Sequence, residues 1–401
     1  MKHRNLSALS SLLIFNHNLP DTFFLVLLSL LFASTLNAQI NIFGDDTTST
    51  ECSHESMDLA INNYGISFGN SQNINGIRFN VTDCRIKNIN GINITFWKPQ
   101  ESPGSVINGI SLGTVPYADE LNGISVGIAS VLAGQSMNGI NVGGLANVSQ
   151  GNIYGINIGG LALVAEEDIA GINVGGLAQV SQKSITGINV AGLALVSEGS
   201  LNGINIGGLA SVAEKGAMGI NFGSLALVSQ ENIYGINAGG LATVAKEDIY
   251  GVNFGGLALV SENELNGINI GGLAAVGNGG ITGINVGGLT IASDKGGITG
   301  INISLGKLKS EYFATGINIT GYNVETEDLT GLNITGCWVD AENLTGFSVS
   351  AFNKISTLQT GFAIGILNIA ESLQGIQIGL INIAKNNPAF FKILPFINLH
   401  F

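Results

Sequence analysis

Catalysis by a nucleophile requires a base within hydrogen-bond reach of it, and the histidines and cysteines of this 401-residue chain are the groups that could supply such a pair. Beyond residue 38 the only imidazoles are His54 and His400, and neither belongs to a Ser-His-Asp or Cys-His pattern. No catalytic residue is assigned and no enzyme is expected. The acidic runs Glu166-Glu167-Asp168, Glu247-Asp248 and Glu262-Asn263-Glu264 offer the oxygen ligands that Ca²⁺ prefers. The G-G-x-G-x-D spacing of calcium-binding β-rolls is absent, since each glycine pair leads into Leu-Ala, and solvated turns are the simpler reading. The 3 cysteines are Cys52, Cys84 and Cys337. They form no C-x-x-C or Cys/His cluster for zinc, while Cys52 and Cys84 could pair after export. Glycine pairs such as Gly159-Gly160 are followed by no helix whose N-terminus could hold a phosphate. No metal and no cofactor are expected.

One polar pattern remains. Asn157, Asn173, Asn189, Asn205, Asn221, Asn237, Asn253 and Asn269 recur at a spacing of 16, with Asn141 before them and Asn285, Asn302, Asn318 and Asn333 after. Such a row could line a lumen or groove and bind a sugar or an amide-rich partner. It could equally be a structural ladder of stacked amides bonded to one another along a sheet. The physics favours the ladder.

The elements that carry this row are repeats. Marker glycines fall at Gly139, Gly155, Gly171, Gly187, Gly203, Gly219, Gly235, Gly251, Gly267 and Gly283, again 16 apart. Looser copies begin at Gly65, Gly76, Gly91, Gly109 and Gly123, and others follow from Gly300 to Gly375. The unit Ile153–Asp168 alternates apolar residues and is rich in β-branched ones, which is strand chemistry. One face carries Tyr154, Ile156, Ile158, Gly160, Ala162 and Val164. The other carries Ile153, Gly155, Asn157, Gly159, Leu161 and Leu163. Ala165–Asp168 is a polar turn. Residues 61–401 therefore read as a single all-β repeat domain, regular over about 137–298, after a polar linker or cap at 39–60.

Two folds fit the unit. In an antiparallel β-barrel-like array each ~16-residue repeat is one strand plus a turn. In a β-solenoid the glycine pair is a corner and each 16-residue coil holds two short strands. Gly-Gly in mid-strand speaks against the barrel. The ninth position speaks for it, because Asn147, Leu163, Gln179, Leu195, Ser211, Leu227, Thr243, Leu259, Ala275 and Ile291 alternate polar or small with bulky. Up and down strands are inequivalent and give a period of two units. The expectation is the barrel, with the solenoid as the alternative.

The first 38 residues resemble a signal peptide: Lys2, His3 and Arg4, an apolar run from Phe23 to Phe32, then small residues up to Ala38. Export follows, to the outer membrane or cell surface, or to the periplasm or medium. Strand length, a rim of Tyr154, Tyr234 and Tyr250, and a final strand ending in Phe401 suit an outer-membrane barrel. A net charge of -13 without basic clusters argues against nucleic acid.

The segments Gly155–Leu161 (G-I-N-I-G-G-L) and Gly375–Asn382 (G-I-Q-I-G-L-I-N), with the ending Leu394–Phe401, resemble poorly characterised bacterial surface-repeat proteins of Bacteroidota and spirochaetes. The resemblance spans roughly Ile61 to Phe401 and implies export and an all-β fold, with no established activity. The hairpin pattern is also similar to predicted β-flower barrels, and more loosely to the head coils of trimeric adhesins. The expected function is that of a non-enzymatic envelope or surface repeat protein, structural or binding an apolar, lipid-like partner such as outer-membrane or surface lipid. The alternative is an adhesin-like solenoid that contacts a protein or glycan.

Overall fold

The computed structural model of the protein describes residues 55–97, 99–100 and 102–401. The expected leader at 1–38, Cys52 and His54 lie outside the described residues.

Each unit folds as two strands joined by a bend. Asn152–Gly159 and Ala162–Ala165 make one such pair, and Ile169–Gly175 and Ala178–Ser181 the next. The two strands of a unit do not pair with each other. Each pairs in parallel with its counterpart one unit on, so Asn157 sits beside Asn173 and Leu163 beside Gln179. The long strands stack into one sheet and the short strands into a second. The chain is thus a β-solenoid of roughly 18 coils. Among the described residues antiparallel pairing occurs only at the two ends. There Ser56–Ile61 folds back on Tyr64–Gly69, and Ile393–His400 folds back on the last coil.

This replaces the expected barrel, and the glycines give the physical reason. A Cβ on Gly160 would lie 1.9 Å from the carbonyl oxygen of Gly144 in the preceding coil, so glycine lets successive corners stack at closest approach, and Ser224 is the one side chain at this position of the regular array. Marker Gly155 has a φ of 110°, and a Cβ there would lie 2.1 Å from the oxygen of Gly139. Residues other than glycine rarely adopt that φ. The alternation at position nine also has another cause. All ten of its side chains point inward and are fully buried. Several of the polar ones close onto a backbone carbonyl eleven residues on: Asn147 to Ile158, Ser211 to Phe222 and Thr243 to Phe254. The period of two lies along the solenoid axis, between large apolar fillers and small or polar side chains.

The corner resets the inside–outside alternation. Ile153, Asn157, Leu163 and Ala165 face inward, while Tyr154, Ile156 and Ile158 face outward. Leu161, expected on the inner face, points out at 47% exposure. The ends differ from expectation as well. Phe401 follows a capping strand instead of a barrel-closing one. The described part of the 39–60 linker forms the opposite cap. Cys84 is disulfide-bonded, and Cys337 is a free, exposed thiol. No described helix is long and apolar enough to cross a membrane.

Candidate functional site

The asparagine row is internal. From Asn141 to Asn333, each Nδ2 donates to the Oδ1 of the next asparagine at 2.6–2.9 Å, through twelve successive bonds. All thirteen side chains are at most 1% exposed. Every bond runs in the same direction, so the amide dipoles add and polarise one another. The first acceptor, Asn141 Oδ1, receives no donor. Asn157, Asn173, Asn189, Asn205, Asn221, Asn237, Asn253 and Asn269, named as a possible binding row, are thus brought together, but as a ladder that no solute touches from outside.

The same inward position holds Arg78 near the N-terminal end. Its guanidinium is fully buried and pairs with Asp83. It also donates to Asn93 Oδ1 at 2.8 Å and to Asn70 Oδ1 at 3.0 Å. Asp83 accepts further bonds from Asn80, Asn93 and Thr95. Arg78 Nε has no partner, but a buried pair held by this many hydrogen bonds fixes geometry, and removing one partner leaves an uncompensated charge. We read it as a polar plug at the start of the core. Sequence reasoning missed it, although an arginine at a Ser/Asn position of the repeat was visible.

The outer surface divides sharply. Between Met137 and Ile298 every Asp, Glu, Lys and Arg lies in or beside the turn joining a short strand to the next long one, in all 15 residues. Eleven are acidic. This edge holds the ion pair Lys183–Glu167 at 2.9 Å. The hydrogen bond from Lys183 lowers the pKa of Glu167, and the same bond raises that of Lys183. Partial burial pushes Glu198 up, with Glu214 in the next coil adding repulsion. Burial and the nearby Asp168 and Glu167 raise Tyr154. Tyr250, raised by burial and by Asp248, donates to Asp248 Oδ2 at 3.2 Å.

Away from that edge the surface is aliphatic. Rows of Ile and Val run along the long-strand sheet, a leucine row marks the corner, and Ala and Val alternate on the short strands. Ile156 and Ile236 are 40% and 53% exposed. The residue preceding each marker glycine forms the sheet's one largely polar outer row, interrupted by Ala170 and Met218. It is asparagine at Asn75, Asn90, Asn108, Asn122 and Asn138, bonded side chain to side chain at 2.7–3.0 Å. It becomes threonine from Thr282 to Thr360. Tyr154, Tyr234 and Tyr250 occupy this row between, and the last two stack at 5.1 Å.

The acidic turns Glu166–Asp168, Glu247-Asp248 and Glu262–Glu264 sit on the charged edge. Among the described residues no three His, Cys, Asp or Glu side chains gather closely enough to hold a metal. His400 meets the Asn387 side chain through Nδ1 at 2.6 Å, within the C-terminal cap. The glycine pairs are corners packed against the coil before them, and each leads into a short strand, not into a helix. No protein-family model, no curated protein and no solved structure matches this chain.

Proposed function

We propose that the chain is a non-enzymatic, exported rod at the cell envelope or surface. It has a structural role there, or binds an apolar, lipid-like partner through its uncharged flank. The observation that carries this reading is the confinement of all 15 charged residues of the regular array to one edge. A soluble monomer rarely leaves so long an apolar surface without an occupant. A parallel solenoid can lie against an apolar phase because its backbone groups are paired along its length, and only its two ends present free strand edges. The apolar leader at residues 23–38 supports export. The net charge of -13 turns the rod away from nucleic acid.

The test is flotation of the intact chain with phosphatidylcholine vesicles, alongside fractionation of the cells that make it. Salt-independent flotation and recovery with the envelope are the expected results. A chain that stays at the bottom of the gradient and is recovered from the cytoplasm overturns the reading. The outer asparagine row from Asn75 to Asn138 favours a second reading, an adhesin-like module whose exposed amides contact a protein or glycan. Saturable binding to a glycan or protein surface, lost when Asn90, Asn108 and Asn122 become alanine, would establish it.

A further inference from the structure

The outer face of the long-strand sheet is the longest uninterrupted apolar surface of the described chain. From Gly139 to Thr335, two outward positions in each of thirteen coils hold only Ile, Val, Leu, Phe or Ala. The coils stack in register, Ile204 on Ile220 and Ile220 on Ile236. With a strand spacing of about 4.8 Å and a rise of about 3.3 Å per residue, the face measures roughly 60 by 13 Å, on the order of 800 Å². The largest apolar patch on a typical monomer is about 300–600 Å². A stable interface requires about 800 Å² from each partner.

We propose that a second copy of this chain covers this face, forming a two-fold dimer with its long-strand sheets packed together. The proposal rests on the reading of the uncharged flank as the working surface and names its occupant. Three observations select a second copy. The area suffices for a dimer. The partner's rows repeat at the same rise as those they meet, so side chains can interdigitate along the whole length, as in a dry interface between identical sheets. Finally, no charged side chain is buried, because the face between Met137 and Ile298 carries none.

The charged edge then selects the orientation. A two-fold axis along the solenoid places the two acidic edges on opposite sides of the dimer. An axis across the solenoid stacks them at about 10 Å, the distance between packed sheets. That separation is close to the Debye length of about 8 Å, so eleven acidic residues on each copy would repel. The two rods therefore run parallel.

The experiment is light scattering after size exclusion of the intact exported chain, with parallel measurements on the double variants Ile220→Lys/Ile236→Lys and Ile220→Thr/Ile236→Thr. The wild type should run at twice the monomer mass at micromolar concentration. The lysine pair should be monomeric, with an unchanged circular dichroism spectrum. The threonine pair keeps β-branching and should weaken the dimer at least tenfold without affecting folding. Leu225→Lys, at the corner, should leave the dimer intact. A spin label on the native thiol Cys337 should report about 25–30 Å between copies in the parallel dimer, against about 60 Å if the rods are antiparallel. A wild type that remains monomeric, or a lysine pair that remains dimeric, overturns the proposal, and the longer distance overturns its orientation. A monomer that still floats with vesicles removes the second copy and leaves the apolar-partner reading standing. A dimer that does not float does the reverse.

Discussion

Two asparagine rows run along this molecule with the same chemistry and opposite surroundings. The inner row, Asn141 to Asn333, is at most 1% exposed, and the outer row, Asn75 to Asn138, faces solvent. Both are linked amide to amide at similar distances. The difference teaches that burial, more than the bond itself, sets what each row contributes. Breaking an inner bond strands a donor and an acceptor that water cannot reach, while breaking an outer bond exchanges it for water. The inner row is scaffold, and the outer row is free to serve recognition.

The largest effect should come from the glycines that let the inner row exist. Gly203 has a φ of 109°, and a Cβ there would lie 2.2 Å from the Gly187 oxygen. Gly203→Val should cost more than about 4 kcal/mol and unfold the neighbouring coils, seen as local loss of amide hydrogen-exchange protection. Next comes the plug. Arg78→Ala leaves Asp83 buried and unpaired, for a loss of about 3–5 kcal/mol in denaturant unfolding, concentrated in the N-terminal coils. A loss below about 1 kcal/mol would mean that water reaches the plug.

The two rows can then be compared directly. Asn221→Ala orphans the Asn205 donor and the Asn237 acceptor and should cost about 2–4 kcal/mol. Asn108→Ala, in the outer row, should stay within about 0.5 kcal/mol. Equal losses would break the distinction between scaffold and surface.

The smallest effect concerns the charged edge. Burial raises the pKa of Glu198, so the fold favours its protonated form. That contribution is present below the unfolded value near 4.5 and is lost as pH rises through the folded value. Glu198→Gln should therefore raise the melting temperature slightly at pH 7, with the gain vanishing below about pH 4. A gain that persists in acid would assign the effect to something other than this carboxyl.

Much of the fold was legible in the chain. The spacing of 16 between marker glycines is the coil, and the alternation of Ile153, Tyr154, Ile156 and Asn157 is the strand. The choice between barrel and solenoid was not, because a sixteen-residue period fixes how far apart equivalent residues lie, not whether neighbouring strands run parallel. The Gly159-Gly160 pair did carry that information, as a corner where successive coils pack backbone against backbone. The alternation at position nine pointed the other way because large and small core fillers leave the same trace as inequivalent strands. The asparagine row was visible, but its burial was not, since alternation puts Asn157 on one face with Ile153 without fixing which face the coils enclose. The charged edge was scattered among turns in the sequence and gathers only when the coils stack.

The solenoid itself is tested most directly by deleting Ile153–Ser184, two coils, and measuring the maximum dimension by small-angle scattering. The shortened chain should fold, keep its cross-section, and lose about 10 Å in length, two coil spacings of about 4.8 Å. A shortened chain that fails to fold, or that changes width at constant length as a closed barrel would, contradicts the account.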